Sequence, residues 1–593
     1  MSNLTELEAR LIGEVSQETL WHHASTLAQW ERISGTAGER AGVDYLQQQL
    51  KNYGLKTDLY EFESLLGWPE EAALEVRSPV AKTLKAITHS FVPSTPPEGI
   101  EAEVVHVGAA SEADFARQPV AGKIVLLDGM SSPTKVLRCQ QHGVAAAIFV
   151  TADRLHDMCV SPVWGTATTK TADLLPKMPV VSTTRDSGNE IKAQMEKGPV
   201  TLWMRTKTFW DWRPTLVLTG EIPGVVEPDK FVLLSGHHCT WYYGAMDNGT
   251  ANATMLEVAR ILSLHRQDLR RSVRVAFWPG HTQGRYSGST WYFDNFWEDM
   301  HDNCVLHVNT DSTGARGAIH YVAISMPETR KFALSAIRDS IGAEAEPERQ
   351  SRAGDQSFWG CGVPSIFMGL SEVPIEQAAD LGGAGLFTAA GSEPKKKSGM
   401  PWFWHTPDDT IDKIDPEVLQ RDTKVYLLAT SRPAIEPVLP FHYAPAAREI
   451  RETLEQYQSA AGDRIDLSPA TTRASKLEAA AETLDGLLDQ ARGGPLVEKA
   501  ADLANKGAMA MDRVLVLLNF SGNGPFDQDL AIPIPAVPLL EQARRLRDMD
   551  PKSSESRFLV TELVRNRNKV AFHLREALTA AEETINGLRS LLG

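Results

Sequence analysis

Four short segments, far apart in the chain, carry the residue types that hold divalent metals. They are Gly236-His237-His238-Cys239-Thr240, Gly244-Ala245-Met246-Asp247-Asn248-Gly249, Asn309-Thr310-Asp311-Ser312 and His405-Thr406-Pro407-Asp408-Asp409-Thr410. A cation gripped by imidazole and carboxylate polarises a carbonyl and lowers the pKa of a bound water, so the chemistry these residues suit is hydrolysis. A fifth segment, Trp278-Pro279-Gly280-His281-Thr282-Gln283-Gly284-Arg285-Tyr286, adds an imidazole suited to proton transfer near neutrality and a guanidinium that can fork onto a carboxylate.

The elements around these segments form the frame that has to position them. Phe231–Ser235, Val273–Trp278, Val305–Asn309 and Val363–Met368 are short apolar runs, which predict strands buried on both faces. Helices are predicted over Thr250–His265 and Lys331–Ile341. Strand then helix, repeated from about 214 to 432, predicts a doubly wound, mostly parallel α/β sheet, and three of the candidate segments directly follow one of its strands. Upstream, Val43, Leu46 and Leu50 mark one face of a helix that stops at Gly54, and Lys56–Phe62 alternates as a strand does. Between 68 and 208 the texture changes to short strands broken by Pro and Gly, with one helix over Thr134–Gly143, and reads as an inserted β-rich module acting as lid or spacer. Beyond 437 the spacing of Leu477, Leu484, Leu487 and Leu488, and of Leu563, Val570, Leu574, Leu578, Leu588 and Leu592, predicts helices. The expected division is therefore 1–67 with 209–436 as the α/β domain, 68–208 as the insert, and 437–593 as a helical, dimerising domain.

The bulk composition narrows the partners. A formal net charge of −16 over 593 residues argues against a nucleic-acid surface, which needs clustered Lys and Arg to displace counterions. Five cysteines, Cys139, Cys159, Cys239, Cys304 and Cys361, include no CxxC pair, so a reducing, cytoplasmic setting is expected. No stretch is long and apolar enough to cross a bilayer, so no membrane partner is expected, and a small peptide or amide-like substrate is.

On these motifs the chain resembles the co-catalytic zinc aminopeptidase family, which also includes glutamate carboxypeptidase, glutaminyl cyclase and the transferrin receptor ectodomain. The likeness takes in Ser34-Gly35-Thr36-Ala37-Gly38-Glu39-Arg40, a protease-associated type of insert around Gly122–Leu126, the metal-binding α/β domain and a receptor-like helical tail. The resemblance implies His238 and Asp311 on a first metal, Asp247 as the bridging carboxylate and His405 on a second metal, and leaves His237 a bystander. Where the family has a glutamate pair, the general base and a second-metal ligand, this chain has His281 and Thr282. Thr240 stands where the family places an aspartate behind its first-metal histidine.

Two carboxylates, Asp247 and Asp311, neutralise one divalent ion but not two, so one tightly held metal is expected and a second is weak or absent. Zinc is the expected ion; manganese, iron, cobalt and nickel accept the same donors. His281 is the expected replacement base, Arg285 and Tyr286 are candidates to hold a substrate carboxylate or an oxyanion, and Asp355 to shape the pocket. Asp408 and Asp409 are expected to cap a following helix or turn. The function implied is a metal-dependent hydrolase of a C–N bond. A lyase or cyclase on the same scaffold, or a non-catalytic receptor-like binding protein, are the alternatives.

Overall fold

A computed structural model of the chain describes residues 4–151, 153–379, 397–495 and 497–592. The predicted buried runs are strands: Glu227–His237, Arg271–Trp278, Cys304–Asn309 and Ser365–Pro374. The first pairs in parallel with the second and third, and the third with the fourth. Alternation along these strands feeds two cores. Phe231 and Leu233 pack with Trp278, Tyr292 and Phe358 on one face, whereas Val232 and Leu234 pack against the helix Ala251–Leu264 on the other. An antiparallel strand, His320–Ser325, pairs with Ser365–Pro374, and Glu346–Arg349 adds to its other side as the edge. Because the central strands run parallel, their carboxyl ends lie together, and the segments that follow them meet on one rim.

The expected boundaries at 67/68 and 208/209 fall inside a single ribbon. Lys56–Ser78 and Thr201–Ile222 pair antiparallel along almost their whole length, from Lys56 opposite Glu221 to Ser78 opposite Thr201, with Trp68 opposite Phe209 at the predicted border. The far half of this ribbon continues into the strands Ile100–Gly108, Ile124–Asp128, Ala146–Val150 and Val180–Thr183, which are mutually parallel, with helix Pro133–Gln141 between the second and third and helix Arg185–Met195 after the last. The insert is therefore more α/β than the β-rich texture suggests. It has apolar cores of its own, with Val105, Val125 and Phe149 on one face and Val104, Leu126 and Ile148 on the other.

The tail forms helices Ala444–Ala461, Ser468–Gly493, Glu498–Phe520 and Ser554–Leu592. Leu477, Leu484, Leu488, Leu563, Val570, Leu574 and Leu588 are buried, as their spacing predicts. Their core is continuous with that of the α/β domain through Tyr426, Leu439 and Phe441. No helix among the described residues is long and apolar enough to cross a membrane.

Candidate metal centre

His237 is the last residue of its strand, and the pleat decides its role. Successive side chains point to opposite faces, so the two adjacent histidines cannot share a site, and a one-residue slip in assignment exchanges them. His237 Nε2 lies 3.1 Å from Asp247 Oδ1 and 3.5 Å from Asp311 Oδ1. His238, fully buried on the opposite side, donates from Nε2 to the Leu216 carbonyl at 3.0 Å. Burial pushes its pKa down to about 3, so it is a neutral packing histidine. The expectation of His238 as the first-metal residue is thereby corrected to His237. The same shift moves the position behind it from Thr240 to Cys239. The Cys239 carbonyl accepts the His237 Nδ1–H at 2.8 Å, and its thiol accepts the backbone N–H of His281 at 3.2 Å. Thr240 instead accepts the Arg32 N–H at 3.1 Å.

Asp247 sits on a wide turn, Ala245–Thr250, just before the helix that starts at Ala251. Asp409 holds this turn: its two carboxylate oxygens accept the N–H groups of Met246 at 2.9 Å and Asp247 at 3.1 Å. Burial pushes the Asp409 carboxyl up to about 7 in spite of those amides. Asp409 thus holds a turn more than 160 residues earlier in the chain and not, as expected, an element that follows it. His405 Nε2 approaches Asp247 Oδ2 at 3.0 Å, while its Nδ1–H donates to the carbonyl of Asp157 at 2.6 Å. Burial works against charge on Asp247, yet His237 and His405 hold its carboxyl well below the usual range.

Two further residues knit the rim together. Asn248 donates from Nδ2 to the carbonyls of His237 at 3.1 Å and Thr310 at 3.3 Å, and its Oδ1 accepts the Ser312 N–H at 3.0 Å. Arg32, fully buried, donates to the carbonyls of His238 at 3.0 Å and Gly244 at 3.2 Å, and also to that of Leu27. Neither stands out in sequence, because both act through backbone carbonyls.

The donors fit a divalent ion. His237 Nε2 is buried and makes no hydrogen bond, even though two carboxylate oxygens lie within 3.5 Å. Against the cost of burial, Asp311 and Asp247 raise the pKa of this imidazole well above its usual value, so the site is built to hold a positive charge at the point where the ring faces them, a place a divalent ion would take. Metal–ligand bonds of about 2.0–2.1 Å in a tetrahedron put ligands about 3.3 Å apart, which matches the observed spacings. Both His237 and His405 give their other ring N–H to a backbone carbonyl, as outer partners of metal ligands do. The second position has only Asp247 Oδ2 and His405 as donors among the described residues, and Thr282 brings no charge to it.

His281 stands beside these donors, with a ring nitrogen within 4.8 Å of ligand atoms of His237 and Asp311. Its ring stacks on His237 with centroids 3.8 Å apart and planes inclined by 22°. Ring lone pairs lie in the ring planes, and planes stacked in this way do not meet within a metal–nitrogen bond of about 2.0–2.1 Å, so the two imidazoles cannot both ligate one ion. His281 Nδ1 is bonded to Asp355 Oδ2 at 2.9 Å, which leaves Nε2 towards the donors. Asp355 is fully buried, with its other oxygen taken by the Ser289 hydroxyl at 3.0 Å. Burial opposes its ionisation, but His281 and Ser289 keep its carboxyl below the usual range. Asp355 therefore does not line the pocket it is expected to shape: it lies, fully buried, behind His281 and orients it.

Arg285 and Tyr286 follow on a tight turn, both with left-handed backbone, at φ 50° and 70°. Tyr286 packs edge-on to His281 and stacks on Trp164 with centroids 3.9 Å apart. Arg285 reaches the Ala531 carbonyl at 3.4 Å and the Cys159 thiol, and its guanidinium lies 4.9 Å from the centre of the Tyr286 ring. Its Nε is buried without an acceptor, and no carboxylate pairs with it among the described residues.

Glu39, on the opposite side of the sheet from the donors, gives a stability prediction. It accepts the Gly35 N–H at 2.8 Å and the Thr215 hydroxyl, and burial pushes its carboxyl from 4.5 up to about 7. A raised folded-state pKa contributes stability that is complete below the unfolded value and is lost as pH rises through the folded one. Glu39→Gln keeps both partners, since the Thr215 hydroxyl can turn to accept. It is expected to flatten the decline between pH 4.5 and 7 and to be more stable than wild type at pH 8 by on the order of 1–3 kcal/mol in denaturant unfolding.

Comparison with known proteins agrees with this geometry. Residues 218–430 match Peptidase family M28. The chain is 24% identical over 500 residues to a probable glutamate carboxypeptidase, VP8, of Zea mays, covering 71% of this chain and 67% of that protein. It is 25% identical over 444 residues to a probable lipoprotein aminopeptidase, LpqL, of Mycobacterium tuberculosis, covering 70% and 84%. Its fold is similar to that of BSAP, a zinc aminopeptidase from Bacillus subtilis, with a TM-score of 0.51 at 17% identity over 71% of this chain and 95% of that one. The segment 218–430, which carries the donors on the rim of its sheet, thus matches peptidase family M28.

Proposed function

We propose that the site is a hydrolytic centre for the peptide or amide bond of a small peptide-like substrate, with one divalent ion on His237, Asp247 and Asp311 and with His281 as the base. The observation that carries this reading is the stacked geometry of His281, which is anchored by Asp355 and turned away from co-ligation. A bound divalent ion supplies a polarised carbonyl and a water of lowered pKa. His281 Nε2 takes the proton from the attacking water and returns it to the departing nitrogen, so that water is added across the C–N bond and the proton is balanced. Asp355 keeps the ring aligned and stabilises its charged form. Arg285, a guanidinium without a carboxylate partner among the described residues, would take a carboxylate of the substrate, and Tyr286 walls the same side.

The metal count follows from charge. Two carboxylates offset one ion, and the second position lacks a third donor, so His405 serves as a partner of Asp247 or a weak second position. Zinc is favoured by the nitrogen and oxygen donors at tetrahedral spacing. Elemental analysis of protein purified without chelator is expected to give one equivalent, predominantly zinc. Two equivalents would sink the charge argument. A panel of aminoacyl amides and dipeptides run in isotopically labelled water is expected to place solvent oxygen in the acyl product. Product formed without label would favour the lyase or cyclase chemistry instead.

A further inference from the structure

We propose that Trp164, carried in by the 68–208 segment, is a positioning residue for His281: its indole N–H starts a one-way chain of hydrogen bonds that ends on Asp355 and holds the carboxylate that orients the His281 ring. The inference rests on the reading of His281 as the base.

The chain runs through two buried hydroxyls. Trp164 Nε1 donates to Ser357 Oγ at 2.8 Å, Ser357 Oγ lies 2.8 Å from Ser289 Oγ, and Ser289 donates to Asp355 Oδ1 at 3.0 Å. Asp355 Oδ2 then meets His281 Nδ1 at 2.9 Å. Trp164 is 3% exposed, and Ser289, Ser357 and Asp355 are fully buried, so no solvent competes for these bonds.

Direction follows from the chemistry of the two ends. An indole N–H can only donate and a carboxylate can only accept, whereas a hydroxyl can do both. Ser357 must accept from Trp164, which frees its own proton for Ser289. The competing acceptor, Thr290 Oγ1, is 3.4 Å away. Ser289, having accepted, gives its proton to Asp355 at 3.0 Å in preference to the Tyr286 carbonyl at 3.3 Å. With one oxygen of Asp355 saturated and the other aimed at the ring, His281 Nδ1 is the donor and Nε2 keeps its lone pair on the side of the metal donors. Without Trp164 at its head, Ser357 is free to accept from Ser289, and Asp355 can lose a donor.

The Trp164 ring is held independently of its N–H. It stacks on Tyr286, and the Arg352 guanidinium lies 3.8 Å above it. Trp164→Phe therefore deletes the donor while keeping a ring in the stack, and Ser289→Ala cuts the chain next to Asp355.

The test is a double-mutant cycle with two readouts. In hydrolysis, Trp164→Phe is expected to lower kcat about three- to tenfold and Ser289→Ala about ten- to a hundredfold, as for a neutral and a charge-assisted hydrogen bond, with KM and metal content little changed. Groups in series act as one, so the double variant should be no slower than Ser289→Ala. The same cycle measured by denaturant unfolding should show coupling, and that readout needs no activity. If the wild type hydrolyses nothing, the proposed function fails while the unfolding cycle still tests the chain. Effects that simply multiply in kcat and add in unfolding, or a Trp164→Phe variant changed only in KM, would overturn the proposal.

Discussion

His237→Ala is expected to strip the metal and the activity together, whereas His238→Gln keeps both. His237 contributes one of three converging donors, and its Nε2 has no other partner. Outer-shell partners alone are worth about 10- to 100-fold in affinity or activity, so loss of a direct donor should weaken metal binding by more than about 100-fold. Glutamine at 238 can still donate to the Leu216 carbonyl, the one bond His238 makes there through its side chain. Dialysis against buffered free zinc, followed by elemental analysis, separates the two variants. Metal retained by the first and lost by the second would restore the assignment that motif alignment suggests.

The second large effect belongs to His281. His281→Ala should keep the metal and lower kcat by about 10²- to 10⁴-fold, the range that a positioned proton carrier contributes. The ring stacks on a donor without sharing its ion, so removal leaves His237, Asp247 and Asp311 in place. Added imidazole, filling the vacated stack, should recover part of the rate. Loss of metal in this variant would make His281 a ligand and end its role as a base.

Much of the frame was readable because it rests on periodicity. Phe231–Leu234 is apolar at every position, and the strand there is buried on both faces. Asp247, Asp311 and His405 follow strands or turns in the expected order, and the structure brings them to one rim with His281. The choice between His237 and His238 was not readable, because neighbours on a strand end differ only in the pleat, and residue type says nothing about which one faces the rim. Asp355 was visible as a residue of interest but not as the partner of His281, since that contact spans 74 positions. Asp157 and Trp164 escaped notice for a different reason. One acts through its carbonyl and the other through an indole N–H, and neither leaves a ligand-type signature in a segment that reads as a spacer.

The paired strands Lys56–Ser78 and Thr201–Ile222 constrain how the molecule can move. A module tethered by loops could swing on a hinge, but here the tether is itself a continuous hydrogen-bonded band, stiffened at the crossing by Trp68 stacked on Phe209 with centroids 3.9 Å apart. Any opening over the cleft would have to bend this paired band instead of turning a loose tether.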